Sequence, residues 1–124
     1  MVSLNRLMLI AECEFADIVE HGVIIDDKLR VMLIDGTYID FWWSHRLADR
    51  FANHWERRHV DNTIYRHDNS PHIKWEHLST SPQHFHFESD SNVIERYLST
   101  DPDLAIREFL SFVRGMISGN KKEN

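Results

Sequence analysis

The feature that most constrains the fold is an Asp-Gly pair between two strand-like runs, in the segment LRVMLIDGTYIDFWW at residues 29–43. Asp35-Gly36 is a preferred two-residue hairpin connection, because both residue types tolerate the positive φ angles of a type I′ turn. The runs on either side are rich in β-branched and aromatic residues, which favour strands. The segment therefore predicts an antiparallel hairpin within a meander.

Two more segments have the composition of strands. Residues 14–25 contain several β-branched residues and are followed by the turn pair Asp26-Asp27. The segment RFANHWE alternates, with Phe51 and Trp55 on the same predicted face. We therefore expect both segments to extend the sheet that the Asp-Gly hairpin begins.

Residues 44–58 also fit a helix, because apolar residues recur at four-residue spacing from Leu47 to Trp55. The turn residues Val60-Asp61-Asn62 then lead into another strand-like run at residues 63–67. We prefer the strand for the first of these segments, which makes the pair a second hairpin with a longer loop.

Helical periodicity is clearest near the C-terminus, in the segment STDPDLAIREFLSFVRGMISG. Thr100 or Asp101 is a suitable N-cap, Pro102 suits the first turn, and the pattern ends near Gly119. The apolar stripe of this helix consists of Ile106, Phe109, Leu110, Val113 and Ile117. A short helix is also predicted over residues 3–11, with Ser3 as its N-cap.

These elements predict an α+β fold in which an antiparallel meander of about four to six strands packs against the C-terminal helix. The 42% hydrophobic and 27% charged content suits a soluble protein with one domain over residues 1–119, followed by a frayed tail at residues 120–124. The apolar run at residues 4–11 is too short to span a bilayer, and Cys13 is alone. We expect a cytoplasmic protein with no membrane contact, disulfide or Cys-rich zinc site.

The net charge of −6 argues against a broad basic surface for nucleic acid, because non-specific affinity comes mainly from Lys and Arg on phosphates. A local basic site remains compatible with the sequence. Cationic side chains fall in the middle of the chain, namely Arg57, Arg58, Arg66 and Lys74.

Residues 67–87, HDNSPHIKWEHLSTSPQHFHF, contain five of the nine histidines. On a strand, His84 and His86 project their imidazoles from one face, which is the spacing of a two-histidine half-site for a divalent metal. The candidates for further ligands are Asp68, His72 and His77. The alternative is that these histidines bond loop carbonyls and cap the sheet edge without any chemistry.

A metal-free ribonuclease centre uses the same residue types. Cleavage through the RNA 2′-hydroxyl needs a base, an acid and a cation near the phosphoryl group. Histidines suit the first two roles, and Arg66 or Lys74 suits the third. The aromatic candidates for stacking an unpaired base are Trp75, Tyr65 and Trp43. The segment Asp68-Asn69-Ser70-Pro71 is equally consistent with a capped turn that has no further role.

Three segments together resemble the TumE-type toxin family of prokaryotes: ANHWE, IYRHDNSPHIKWEHLSTSPQHFHF and REFLSFVRGMI. In that family a His-Trp strand precedes an Arg-x-Asp-Asn-x-Pro-His segment and a later Pro-x-His-x-His segment. The matching positions are His54, Trp55, Arg66, Asp68, Asn69, Pro71, His72, Pro82, His84 and His86. The resemblance covers roughly residues 15–117, and one departure is Ser81, where an aromatic residue is expected.

The resemblance implies the toxin of a type II toxin-antitoxin module, neutralised by a cognate helix-turn-helix antitoxin. From the histidine set we infer RNA as its target. The predicted catalytic residues are Asp68, His72, His84 and His86, with Arg66 and His54 at the border, and the predicted RNA-binding residues are Lys74, Trp75 and Tyr65. The competing hypothesis is a non-catalytic binding module whose histidine cluster holds a structural metal or docks a protein partner. The sequence leaves a homodimer open.

Overall fold

The computed structural model of the protein describes residues 2–122, with side chains through residue 119. The helices are α1 (Leu4–Glu14), α2 (Arg58–Asp61) and α3 (Pro102–Lys122). The strands are β1 (Val19–Ile25), β2 (Lys28–Leu33), β3 (Tyr38–Trp43), β4 (Phe51–Arg57), β5 (Thr63–Asp68), β6 (His84–Glu88) and β7 (Val93–Ile94). A 3₁₀ turn (Ile73–Trp75) lies in the loop between β5 and β6.

The strands form one antiparallel sheet in the order β1-β2-β3-β4-β5-β6-β7, so each strand pairs with its neighbour in sequence. The predicted α+β meander is therefore confirmed. The sheet has more strands than the four to six expected, and β7 is too short at two residues to produce an alternating sequence pattern. The strand predicted over residues 14–25 begins only at Val19, because α1 continues through Glu14.

The Asp35-Gly36 hairpin is confirmed, but its turn is not the predicted type I′. Of the two residues Asp35 and Gly36, only Gly36 has a positive φ, of 85°. The Gly36 amide donates to the Leu33 carbonyl, and the Leu33 amide donates to the Thr37 carbonyl. This is a three-residue loop in which the glycine takes the left-handed position. The Asp35 carboxylate accepts hydrogen bonds from the amide and hydroxyl of Thr37, and thereby stabilises the longer loop.

The alternative helix over residues 44–58 is wrong, and the preferred strand is confirmed. Strand β4 pairs with β3 on one side and β5 on the other. Phe51, Asn53 and Trp55 point into the core, as their alternation predicted. Two ladders of backbone hydrogen bonds and this buried face outweigh the four-residue spacing that suggested a helix.

Helices α1 and α3 cover one face of the sheet. Ser3 caps α1 as predicted, because its hydroxyl accepts a hydrogen bond from the Arg6 amide. The predicted apolar stripe of α3 is buried throughout, and Phe109 packs edge-on against Phe41 of β3. Phe112 contacts three aromatic rings of the sheet, those of Trp55, Tyr65 and Phe85.

Helix α3 runs past Gly119, near which its end was predicted, to Lys122. Residues 123 and 124 of the predicted tail lie outside the described residues. None of the helices in the described chain is both long and apolar enough to cross a bilayer.

The opposite face of the sheet carries no helix of the described chain and is polar. On β5 and β6 the two faces alternate strictly, so that Tyr65 and Phe85 lie under α3 while Arg66, Asp68 and His84 lie on the other side. The loop of residues 69–83 folds over one end of this polar face and forms a wall above it. That end is where the candidate site lies.

Candidate functional site

A cleft of about 380 Å³ lies between β5, β6 and the loop that joins them. We call it the histidine cleft. Its lining consists of Arg66, Asp68, Ser70, Pro71, His72, Lys74, Trp75, His84, His86 and Asp90. Residues that stand 16 and 20 positions apart in sequence meet here because β5 and β6 are antiparallel neighbours. The pairing sets Asp68 opposite His84 and Arg66 opposite His86.

Asp68 is the centre of the cluster and is buried, with 3% of its surface exposed. Its Oδ1 lies 3.0 Å from His84 Nε2 and accepts a hydrogen bond from the Ser70 amide. Its Oδ2 accepts a 3.0 Å hydrogen bond from Arg66 Nε and lies 3.8 Å from His86 Nε2. The predicted Asp-Asn-Ser-Pro turn therefore also fixes the carboxylate between two imidazoles.

The backbone fixes the proton positions on both imidazoles. His84 Nδ1 lies 3.1 Å from the Pro82 carbonyl oxygen, and His86 Nδ1 lies 2.8 Å from the Asp90 carbonyl oxygen. A carbonyl only accepts, so each Nδ1 carries the hydrogen and each neutral ring has its lone pair on Nε2. In both rings, Nε2 is the nitrogen that lies next to the Asp68 carboxylate.

This arrangement requires a cation or a proton in the cluster. The Nε2 lone pair of neutral His84 and the carboxylate Oδ1 of Asp68 are both acceptors, yet they lie 3.0 Å apart. The contact is favourable when His84 is an imidazolium that donates to Asp68, or when a cation lies between the two atoms. The same geometry therefore suits acid-base chemistry and metal binding.

The outer wall of the histidine cleft is formed by the 69–83 loop. The Trp75 ring lies 6.4 Å from the His84 ring and 6.5 Å from the His86 ring, and the Lys74 ammonium lies over Trp75. His72 caps the 3₁₀ turn, since its Nδ1 accepts a hydrogen bond from the Lys74 amide. His72 therefore presents Nε2–H when neutral, the opposite tautomer to the two strand histidines.

The structure brings most of the predicted site residues together, with two qualifications. Asp68, His72, His84, His86, Arg66, Lys74 and Trp75 all line the histidine cleft. His54 lies beside Arg66 on β4, outside the cleft, and its Nε2 lies 3.2 Å from Glu56 Oε1. Tyr65 does not join them, because it is 3% exposed on the helix-covered face and stacks on Trp55.

Two residues of the sequence candidates lie apart from the cluster. Trp43, considered for base stacking, is buried in the core against Phe41. His77 is exposed and does not line the cleft, so it is not placed to complete a metal site with Asp68. Among the described residues, a group that could hold a metal ion consists of Asp68, His84 and His86, whose ligand atoms lie within 4.8 Å of one another.

His67 lies in a different environment from the histidines of β6, His84 and His86. It faces the core with 0% exposure, and its Nε2 lies 2.9 Å from Gln83 Oε1. Burial lowers the pKa of His67 to about 4, so the ring is neutral at physiological pH. Gln83 also bonds the backbone of Leu98, which ties β5 to the segment before α3.

Sequence reasoning missed a second cleft of about 460 Å³ on the same polar face, which we call the adjoining cleft. Its lining consists of Lys28, Arg30, Tyr38, Asp40, Trp42, Ala52, His54, Glu56, Arg58, Arg66 and Ser70. Alternation along β2, β3 and β4 was the signal available in the sequence, since these residues interleave with buried apolar ones. The two clefts share Arg66 and Ser70.

The carboxylates of the adjoining cleft are held ionised by their cations. Hydrogen bonds from Arg58, together with the contact to His54, lower the pKa of Glu56 to about 2 against the opposing effect of burial. Burial alone would raise the pKa of Asp40, but Arg30 and Lys28 hydrogen-bond it and hold the value below its ordinary range.

Comparison with known protein families gives a match that covers most of the chain. A family model described as "Toxin TumE" matches residues 4–117. No curated protein and no solved structure matches the chain. The matched region extends from α1 well into α3, so it contains the whole sheet and both clefts.

Proposed function

This chain belongs to the TumE toxin family, which makes it a toxin of a toxin-antitoxin system, and we propose that it cleaves RNA in the histidine cleft. In this proposal it acts in the cytoplasm as the toxin of a type II module and is neutralised by a cognate helix-turn-helix antitoxin. The observation that carries the proposal is the buried cluster of Asp68, His84 and His86 beside Arg66, open to a cleft with an aromatic wall.

The cluster supplies the groups that RNA self-cleavage needs. A base removes the 2′-hydroxyl proton, the 2′-oxygen attacks the adjacent phosphorus, and the P–O5′ bond breaks as an acid protonates the leaving oxygen. The products are a 2′,3′-cyclic phosphate and a 5′-hydroxyl. No water or cofactor is consumed in this step.

The distances of the two strand histidines from Asp68 suit different roles. His86 Nε2 has a lone pair and only a long 3.8 Å approach to Asp68, which suits the base. His84 Nε2 is 3.0 Å from Asp68 Oδ1, which suits an imidazolium that serves as the acid. After cleavage His86 releases its gained proton to solvent and His84 takes up a proton from solvent, so the cluster returns to its starting state.

The remaining residues of the cleft bind and orient the substrate. Arg66 uses Nε on Asp68, which leaves its terminal nitrogens as donors to the phosphoryl oxygens. Trp75 faces both imidazoles and offers a surface for stacking a base, and Lys74 adds a charge beside it. His72, on the same loop wall as Trp75, has Nε2–H when neutral, which suits a hydrogen bond to the phosphate.

The test uses purified protein and a synthetic oligoribonucleotide. The wild type should yield 2′,3′-cyclic phosphate ends, and His86→Ala and His84→Ala should each lower kcat/KM by about 10²- to 10⁴-fold. His77→Ala is the matched control, because it removes an exposed histidine of the same loop region that does not line the cleft. Unchanged cleavage and unchanged growth arrest in both cleft variants would refute the proposal.

A non-catalytic, metal-holding module is the second candidate, favoured by the donor set. Metal-bound histidines commonly donate their other N–H to a backbone carbonyl, as both strand histidines do here. Two ligands of one tetrahedral zinc ion lie roughly 3.3 Å apart, and the contacts of Asp68 with His84 and His86 are 3.0 and 3.8 Å. A divalent ion bound here would fix the cleft wall as a docking surface for a protein partner.

Metal analysis separates the two candidates. The metal-holding module predicts about one equivalent of zinc or a similar ion, lost in His84→Ala, together with a lower unfolding temperature after chelation and no RNA turnover. The ribonuclease predicts RNA cleavage that persists in a chelator. Cleavage by metal-free protein would exclude the second candidate as the reason for the cluster.

A further inference from the structure

We propose that the adjoining cleft binds the nucleotides next to the scissile phosphate, so that single-stranded RNA runs across the polar face of the sheet from β6 towards β2. This inference rests on the proposed RNA cleavage and extends it to a second binding site. It adds residues of β2, β3 and β4 to which the sequence analysis gave no function, beside His54 and Arg58, which it had named.

The two clefts are adjacent on the polar face. Arg66 and Ser70 line both, so the clefts meet at these two side chains. Strand register places a straight cross-strand row between them, consisting of Arg30, Asp40, His54, Arg66 and His86. A strand of RNA leaving the phosphate at His86 therefore passes over Arg66 directly into the adjoining cleft.

Arg66 is suited to hold a phosphate at the junction of the clefts. Within the part of the chain that the structure describes, only its Nε is hydrogen-bonded, to Asp68. The side chain is 38% exposed and lines both clefts, so its terminal nitrogens are available as donors to a ligand there. Two parallel N–H donors match a phosphate in a bidentate manner.

The adjacent cross-strand row of side chains provides an aromatic surface next to a small side chain that leaves space for a ligand. In register order it consists of Trp42, Ala52, Asp68 and His84. Ala52 is the smallest side chain of the row, and the space above it opens between Trp42 and the Asp68 cluster. Trp42 is held in place by a hydrogen bond from its indole nitrogen to Asp27. The indole and His84 are three strand spacings apart, about 14 Å, which suits more than one nucleotide.

The charge of the two clefts differs from that of the whole protein. Their lining includes five Lys or Arg side chains and four carboxylates. The complete chain has 14 Lys and Arg against 20 Asp and Glu. On the β2 side Asp40 is shared by Lys28 and Arg30, which leaves one uncompensated positive charge. A polyanion is therefore attracted to this face and repelled by the rest of the surface.

Single-stranded RNA fits these features better than a folded duplex. Open sheet faces that combine cations with exposed aromatic rings bind unpaired bases by stacking and backbone phosphates by charge. Trp42 and Trp75 lie on opposite sides of the Asp68 cluster and provide one stacking surface in each cleft. The sequence of the RNA is left open, since stacking accepts every base.

The test measures binding of fluorescein-labelled 2′-O-methyl oligonucleotides of two and six residues, in which the blocked 2′-oxygen prevents cleavage. We expect the hexanucleotide to bind wild-type protein more tightly than the dinucleotide. Trp42→Leu should weaken hexanucleotide binding about tenfold.

Arg58→Gln should reduce the slope of log affinity against log salt by about 0.7, the value for one phosphate contact to a single strand. Neither substitution should change dinucleotide binding.

Arg107→Gln is the matched control for Arg58→Gln. Arg107 forms a two-point ion pair with Glu14, as Arg58 does with Glu56, but it lies on the helix layer. The control should leave both affinity and salt slope unchanged. Because the Arg58 side chain is 60% exposed, its substitution tests the cleft even if Trp42→Leu lowers the stability of the fold.

Cleavage of unmodified oligonucleotides of the same two lengths separates this inference from the proposed function. Faster cleavage of the hexanucleotide, lost in Trp42→Leu and Arg58→Gln, would support both. Length-dependent binding without cleavage would support the RNA path and refute the ribonuclease. Equal affinity for both lengths, or loss of antitoxin binding alone in the cleft variants, would overturn the RNA path.

Discussion

Histidines lie on both faces of the β5–β6 pair, but they are buried in the core on one face and line a cleft on the other. His67 lies on the helix-covered face with a pKa of about 4, while His84 and His86 lie on the polar face around the Asp68 carboxylate. His67 and Asp68 are adjacent in sequence. The comparison shows that strand alternation, and not the local density of histidines, decides which of them is available for chemistry.

The comparison leads to a general expectation. A substitution on the polar face should change activity more than stability, because its side chains contact substrate and solvent. A substitution on the helix-covered face should change stability more than activity, because its side chains form the core. The four predictions that follow test this division, from the largest expected effect to the smallest.

Asp68→Asn should have the largest effect, on activity. The amide keeps the shape of the side chain but removes the negative charge that lies beside His84 Nε2 and orients Arg66. We expect kcat/KM for RNA cleavage to fall by about 10²- to 10⁴-fold while the free energy of unfolding changes by about 1–2 kcal/mol. Asp17→Asn, which removes a surface partner of Arg114, is the control. Full activity in Asp68→Asn would place the chemistry elsewhere.

Phe85→Ala should have the opposite profile. The Phe85 ring is fully buried between Tyr65 and Phe112, on the reverse side of the strand that carries His84. Its loss should lower the free energy of unfolding by about 3–5 kcal/mol, measured by urea denaturation. The fraction that remains folded should still cleave RNA. Ile94→Ala on the adjacent edge strand is the control and should cost less than about 1 kcal/mol, since Ile94 is exposed.

His67 should make stability depend on pH. Its pKa is about 4 in the folded protein and ordinarily 6.5, so the unfolded chain binds a proton between these values that the folded chain does not. The free energy of unfolding should therefore fall as pH falls from about 6.5 to 4, by up to about 3 kcal/mol. Denaturation of the wild type and of His67→Gln across this range measures the difference. Equal pH slopes for the two proteins would contradict the prediction.

Ser3→Ala should have the smallest effect. The Ser3 hydroxyl accepts a hydrogen bond from the Arg6 amide at the start of α1, and Ser3 lines neither cleft. Loss of an N-cap costs about 1 kcal/mol. Thermal denaturation should show this decrease, whereas Ser111→Ala on the exposed side of α3 should show none. RNA cleavage should be unchanged in both variants, and a loss of activity in Ser3→Ala alone would break the division between the faces.

The sequence predicted much of the histidine cleft because its parts obey local rules. The His-Phe-His alternation placed both imidazoles on one face, and Asp68 ends the neighbouring strand β5 on the same face. The same rule excludes Tyr65, because it alternates with Arg66 and must lie on the opposite face. That exclusion was available from the sequence, since the two residues are adjacent on one strand.

The adjoining cleft was harder to predict because it depends on the register of four strands. A slip of one residue in any hairpin moves a whole strand's side chains to the other face. The Asp-Gly loop contains one more residue than a type I′ turn, and the ion pairs of Asp40 with Arg30 and Lys28 depend on that loop. No local pattern connects β2 with β5, so the sequence did not bring Arg30 and Arg66 together.

The order in which the strands pair has a consequence for how the protein is made. Every strand pairs with the strand before it, so contact order within the sheet is low and closure proceeds by short loops. The longest connection inside the sheet is the 69–83 segment, and its closure has the greatest entropic cost. It is also the step that brings His84 and His86 to Asp68. During synthesis from the N-terminus, β1 to β5 are therefore complete before the histidine cleft exists, and α3 covers the core last.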